Sequence, residues 1–171
     1  MTNQFQPLET ERLRLREVRP DDALAMFHMI YHNPKVLETF LARYMEDESE
    51  AHVNNLLTYQ ENGHLIYILE VKETDAAIGM LLEQTDENLA MELGYAIGEP
   101  YWNQGYTTEA MRAVIAYLFE KGYKKITAEC FVENKASARV MEKSGMIKTE
   151  KQYTLNYQDK DHLVIEYEIT Q

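Results

Sequence analysis

Between Leu89 and Gly145 the apolar residues change period three times, and that order of periods restricts the chain more than any other feature of it. Leu89–Gly98 alternates: Met91, Leu93, Tyr95 and Ile97 share one face, and Ala90, Glu92, Gly94 and Ala96 share the other, which is the period of a strand. Ala110, Ala113, Val114, Tyr117 and Leu118 then fall on one stripe. That spacing predicts a helix over about Thr107–Lys121, closed by Gly122. Lys125–Val132 returns to strand character, and Lys135–Ser144 predicts a second helix closed by Gly145. Such a strand–helix–strand–helix unit requires a sheet on which both helices pack.

The remainder supplies more of that sheet. Arg12, Arg14 and Arg16 alternate with Leu13, Leu15 and then Val18, a short strand with one apolar face. Pro20-Asp21-Asp22 reads as a helix start, with Leu24, Phe27 and Ile30/Tyr31 following at helical spacing until Asn33-Pro34 interrupts. Val36–Tyr44 reads as a short helix or a loop, and Asp47–Gln60 as a helix that stops at Asn62-Gly63. Strands are predicted at Leu65–Val71, Ala76–Glu83, Ile147–Asn156 and His162–Ile169, the last two joined near Gln158–Lys160. The order β-α-α-β-β-β-α-β-α-β-β predicts a mixed sheet with helices on both faces.

Composition narrows the function. The chain has 171 residues, 45% of them hydrophobic, and no repeat or low-complexity tract. One domain over residues 1–171 is expected. Its 17 basic and 29 acidic residues leave a net charge of −12. Phosphate-driven nucleic-acid binding and adhesion to anionic membranes are therefore disfavoured, while cationic substrates are attracted. Cys130 is the single cysteine, so no intrachain disulfide forms. With Ile126, Ala128 and Val132 on its face, it reads as a buried core thiol. Met1–Thr10 lacks an apolar signal core and no run approaches a membrane span, so a cytoplasmic location is expected. His28, His32, His52, His64 and His162 show no clustered ligand spacing, and no metal is expected.

The junction before the long helix carries the chemistry. In Gly98-Glu99-Pro100-Tyr101-Trp102-Asn103-Gln104-Gly105-Tyr106-Thr107-Thr108-Glu109 a strand ends, a glycine turn follows and a helix begins. Free N–H groups at a helix start, reinforced by its dipole, form an anion site. A glycine lets the backbone take positive φ and approach the anion. No GxxxxGK[ST] or GxGxxG pattern is present.

Four blocks give this junction a family resemblance. Leu8–Arg16 with Arg19-Pro20-Asp21-Asp22-Ala23 resembles the opening of the ribosomal-protein N-terminal acetyltransferase (RimJ/RimL) branch of the GNAT superfamily. Glu92–Ile97 resembles that branch's fourth strand, and Tyr101–Ala110 its pyrophosphate loop. Glu133–Ser137 with Glu142–Met146 resembles its second coenzyme segment. The resemblance implies an α/β (α+β) protein with the acyl-CoA N-acyltransferase fold: a mixed, mostly antiparallel seven-stranded sheet flanked by helices. It implies acetyl-CoA as cosubstrate, an amine acceptor attacking directly, and a homodimer.

Residue by residue, the resemblance implies that Tyr95, Ala96 and Ile97 present backbone groups to the pantetheine arm. The strand that carries them is expected to hold a bulge, consistent with Gly94, and to splay from the next. Asn103, Gln104, Gly105, Tyr106, Thr107 and Thr108 are expected to wrap the pyrophosphate. Thr107 departs from the usual glycine or alanine, and its hydroxyl is a candidate helix cap or phosphate donor. Trp102 is a packing residue or a coenzyme contact. Asn134 is a pantetheine contact, an N-cap, or both. Ser137 is expected near the thioester sulfur, or is a first-turn serine without a partner. Glu92 is the candidate base; the alternative is an ion-paired strand glutamate. The helix tyrosine that many family members direct at the thiolate is replaced by Met141, leaving Ser137 or a water. A backbone N–H near Ala96 or Ile97 is the candidate oxyanion donor. The acceptor, a protein N-terminus or a small amine, is expected to be read by Tyr31–Gln60 and the Tyr153–Lys160 turn. The competing reading is a non-catalytic acyl-CoA sensor or scaffold.

Overall fold

The computed structural model describes residues 6–42, 45–46 and 50–171. Strands β1 (Leu8–Glu9), β2 (Leu13–Arg16), β3 (Ile66–Val71), β4 (Ala76–Glu87), β5 (Ala90–Ile97), β6 (Lys125–Phe131), β7 (Ile147–Tyr157) and β8 (Lys160–Thr170) form one sheet. Their order is β1-β2-β3-β4-β5-β6-β8-β7. Neighbours are antiparallel except β5 and β6, which run parallel. The sheet thus has eight strands where seven were expected. The extra one is β1, whose two residues pair Leu8 with Leu15 and Glu9 with Arg14 and are too short to show a period.

Helices cover both faces, as the element order predicts. On one face α4 (Tyr106–Glu120) and α5 (Lys135–Lys143) pack over Leu13, Leu15, Met91, Leu93, Ile126, Ala128 and Ile165. Ala110, Met111, Val114, Tyr117 and Leu118 form the buried stripe of α4. Each such large side chain stabilises the fold by about 1.5–3 kcal/mol. On the other face α1 (Asp22–Met26), α2 (Pro34–Leu37) and α3 (Glu50–Glu61) enclose a second core containing Val18, Met26, Ile30, Leu56, Ile66, Ile68 and Met80.

Two local departures have clear causes. After α1 the chain widens into a π turn, Phe27–Tyr31, which changes the helical phase. Met26, Phe27, Ile30 and Tyr31 are buried, whereas Leu24 is 51% exposed. The ambiguous Val36–Tyr44 begins as the end of α2, with Asn33 as its N-cap accepting from the Lys35 amide at 3.1 Å; Arg43 and Tyr44 lie outside the described residues. The acidic stretch around Glu46–Glu50 lies mostly outside them too.

A buried ionic knot ties β2 to β3 and to α1. Arg16 donates to both carboxylate oxygens of Asp22, at 2.8 and 2.9 Å, and to Glu70 at 2.5 Å. All three side chains are buried. Glu70 also accepts from Arg14 at 2.9 Å. Burial pushes the Glu70 carboxyl up, but the two guanidinium groups outweigh it and hold it below its ordinary value.

Candidate active site

The glycine junction folds into a nest of amides. Asn103 and Gly105 have φ of 59° and 82°, so two left-handed residues turn successive N–H groups toward the head of α4. Gly105 is the N-cap and makes no side-chain cap bond. Thr107 is buried and is not the cap, contrary to one of the expectations for its hydroxyl. Among the described residues nothing accepts a hydrogen bond from the amides of Asn103, Gln104, Gly105, Tyr106, Thr107 or Thr108; the first amide of the turn with an acceptor is Glu109, bonded to the Gly105 carbonyl at 3.0 Å. These donors are left to an anion or water.

Arg12 braces the loop from outside, a role that its place in an alternating strand does not reveal. It donates to the Gln104 carbonyl at 2.9 Å, lies 4.3 Å from the centre of the Tyr106 ring, and pairs with Glu109 at 2.7 Å. Glu109 also accepts from Thr10 and from the Arg12 amide. Trp102 donates its indole N–H to the Ile97 carbonyl at 2.8 Å and so fastens the loop to the end of β5.

Beside the loop the sheet opens. β5 and β6 pair through Ala90, Met91 and Glu92 against Lys125, Ile126 and Thr127. Beyond Glu92 the edge of Leu93–Ile97 that faces β6 has no strand partner. β5 nevertheless stays paired with β4 to its end. The bulge expected in β5 lies instead in β4, where the register shifts between Glu83 and Thr85. A Cβ on Gly94 would stand 2.5 Å from the Gln84 amide nitrogen. Gly94 therefore makes room for the residue that bulges from the neighbouring strand.

A cleft of about 1220 Å³ runs through this opening. It joins Tyr95, Ala96 and Ile97 of β5, Asn103 and Gly105–Thr108 of the loop, and the Asn134–Ser137 head of α5, while Gln104 does not line it. Asn134 is an N-cap, its Oδ1 accepting from the Ser137 amide at 3.1 Å. Ser137 has a partner: its Oγ lies 2.7 Å from the Tyr95 hydroxyl. Met141, at the family's tyrosine position, is fully buried in the core and turned away from the cleft. Cys130 is buried as expected, and burial pushes its thiol up to about 11, which keeps it protonated.

The two sides of the opening differ. Glu92, Gly94 and Ala96 face one side of the sheet and Leu93 and Tyr95 the other. Glu92 accepts no hydrogen bond and forms no ion pair among the described residues. Burial pushes its carboxyl up, Glu129 and Glu166 push it further, and Lys151 draws it back. Glu129 and Glu166 are adjacent across β6 and β8 and share Lys151, at 2.8 Å each. Tyr153 also donates to Glu129, at 2.5 Å.

Two further features line the cleft. Lys135, Arg139 and Lys143 recur every fourth residue along α5 and are exposed on its cleft side. They make this end basic in an acidic chain, a pattern visible in the sequence as i, i+4, i+8 spacing. At the opposite end the β7–β8 hairpin clamps the end of α2: Tyr157 donates to the Leu37 carbonyl at 2.6 Å, and Gln158 to the same carbonyl at 3.1 Å. His64 pairs with Glu83 at 2.8 Å and stacks on Tyr59. Among the described residues no group of three His, Cys, Asp or Glu could hold a metal ion, and no helix is long and apolar enough to cross a membrane.

The amide nest at a helix head, beside parallel strands that part company halfway, sits in an acetyltransferase fold. The chain belongs to the acetyltransferase (GNAT) domain family, whose model matches residues 12–147. It is 32% identical over 144 residues to the uncharacterized protein YkkB of Bacillus subtilis (strain 168), covering 81% of this chain and 84% of that protein. A GNAT-family acetyltransferase from Bacillus anthracis superposes with a TM-score of 0.84 at 23% identity, over 96% of this chain and 98% of that one. RimL, a ribosomal L7/L12 α-N-protein acetyltransferase solved with coenzyme A, superposes with a TM-score of 0.82 at 18% identity, over 96% and 98%.

Proposed function

We propose that this chain transfers an acetyl group from acetyl-CoA to an amine, a small molecule or a peptide N-terminus, which attacks the thioester directly. One observation carries the reading: the unpaired amides of Asn103 and Gly105–Thr108 belong to residues that line the same cleft as the unpaired edge of β5. The first suits a pyrophosphate and the second the amides of a pantetheine arm. Arg139 and Lys143 on α5 add positive charge near that end.

In this reading Asn103, Gln104, Gly105, Tyr106, Thr107 and Thr108 hold the coenzyme's phosphates. Tyr95, Ala96, Ile97 and the free side-chain amide of Asn134 hold its pantetheine. Glu92 takes a proton from the incoming ammonium, directly or through water; its raised affinity for protons suits a base. A backbone N–H near Ala96 or Ile97 steadies the oxyanion. The carbon–nitrogen bond forms, the carbon–sulfur bond breaks, and Ser137 faces the departing sulfur. The whole chain acts as one cytoplasmic domain.

Calorimetry with coenzyme A and release of free thiol from acetyl-CoA over a panel of amines test the reading. Binding in the range of about 1 μM to 1 mM with turnover on at least one amine is expected. No binding at millimolar coenzyme removes it, and binding without turnover on any amine leaves a sensor.

A further inference from the structure

The leaving sulfur needs a hydrogen-bond donor, and the family's usual tyrosine position cannot supply one here because Met141 is sealed in the core. Another tyrosine reaches the cleft by a different route. Tyr95 comes from β5 rather than from a helix, and it points to the α4/α5 side of the sheet, opposite Glu92. Its hydroxyl stands 2.7 Å from Ser137 Oγ and 3.2 Å from the Ser137 carbonyl oxygen.

We propose that Tyr95 is a positioning residue that turns the Ser137 hydroxyl hydrogen toward the departing thiolate. The inference rests on the reading of Ser137 given above.

The Cys130 thiol also hydrogen-bonds the Ser137 side chain; between the two hydroxyls themselves there are two arrangements, because a hydroxyl hydrogen rotates to suit its acceptors. With the Tyr95 hydrogen on the Ser137 carbonyl, Ser137 donates back to Tyr95. With the Tyr95 hydrogen on Ser137 Oγ, the Ser137 hydrogen is freed from Tyr95 and is shared between the Cys130 sulfur and the cleft. Growing negative charge on sulfur selects the second arrangement, since a hydrogen bond to an ionised acceptor is the stronger one. Burial pushes the Tyr95 phenol up, against a smaller opposing effect of Ser137, so Tyr95 remains a donor throughout. The Ser137 backbone is held by the Asn134 cap, which leaves the hydroxyl rotor as the movable part.

Protons and electrons balance without ionising either hydroxyl. Glu92 passes the ammonium's first proton on to solvent, the amine nitrogen then bonds the acyl carbon, the carbon–sulfur pair passes to sulfur, and the nitrogen's second proton goes to Glu92. Ser137 donates a hydrogen bond to the thiolate, which afterwards takes a proton from water. An aliphatic hydroxyl is a far weaker acid than a thiol, so full transfer from Ser137 would run uphill.

A double-mutant cycle on the full chain decides the matter, with kcat for acetyl-CoA and the best amine as the readout and coenzyme A affinity measured by calorimetry. Ser137→Ala is expected to lower kcat about 10²-fold and Tyr95→Phe about tenfold, with coenzyme affinity unchanged. Tyr95→Phe should cost nothing further in the Ser137→Ala background. Tyr167→Phe, which removes a hydroxyl bonded to Glu142 in the same core, should leave kcat as it was and controls for loosened packing. Additive losses, or a wild-type kcat for Tyr95→Phe, overturn the role of Tyr95. A wild-type kcat for Ser137→Ala overturns the reading of Ser137 beneath it.

Discussion

Glu92 combines burial with two like charges nearby, and both raise its proton affinity. Catalysis and stability then respond to pH in opposite senses. A base must be ionised to work, so kcat/KM rises with pH through the raised pKa of Glu92. Glu92→Gln should lose about 10²-fold in kcat/KM and the acidic limb with it. For stability, a carboxyl whose folded pKa exceeds its ordinary value of 4.5 favours the fold fully below that value. The benefit is lost as pH rises through the folded pKa. Glutamine has no such loss, so the variant should melt higher than wild type at neutral pH, and the difference should close below about pH 4.5. Equal melting curves across that range would rule the environment of Glu92 out as a source of strain. Gly105 poses a backbone question instead. Alanine there must hold φ near 82° with its Cβ 3.4 Å from the Arg12 guanidinium. It should destabilise the fold by about 1–2 kcal/mol and weaken coenzyme affinity, as denaturant titration and calorimetry would report.

Strand β7 shows how an irregular element supplies a charge that a regular one would misplace. Its register shifts between Lys148 and Gln152, and the extra residues aim Lys151 between Glu129 and Glu166. Lys151 thereby offsets two of the three carboxylates clustered on this face. Lys151→Met should move the acidic limb of the kcat/KM profile to higher pH, because Glu92 would then face both neighbours without compensation. An unchanged limb would separate Glu92 from this cluster. Strand β2 carries its own charge inward. Asp22→Ala would leave Arg16 buried with part of its hydrogen bonding gone, and should cost about 3–5 kcal/mol in chemical denaturation. A loss below about 1 kcal/mol would mean that the pair is solvated in solution.

Over the whole molecule, the periods along the chain already dictated most of the elements. Alternation marked β5 and β8, the 3.6-residue stripe marked α4, and glycines with positive φ at Gly122 and Gly145 closed the helices as expected. The turn at Gly105 was legible for the same local reason: a left-handed residue before a helix exposes amides whatever surrounds it. β1 and the π turn were not legible, one because two residues carry no period, the other because a change of helical phase depends on what each side chain packs against. Arg16 read as the polar face of a strand, yet Asp22 and Glu70 bury it. Local propensity and pattern, set by near neighbours in the chain, thus determined the strands, the helices and the amide nest. The splay of β5 from β6, the Tyr95–Ser137 bond across 42 residues and the company kept by Glu92 were decided by tertiary packing, because each depends on groups that only the closed sheet brings within reach.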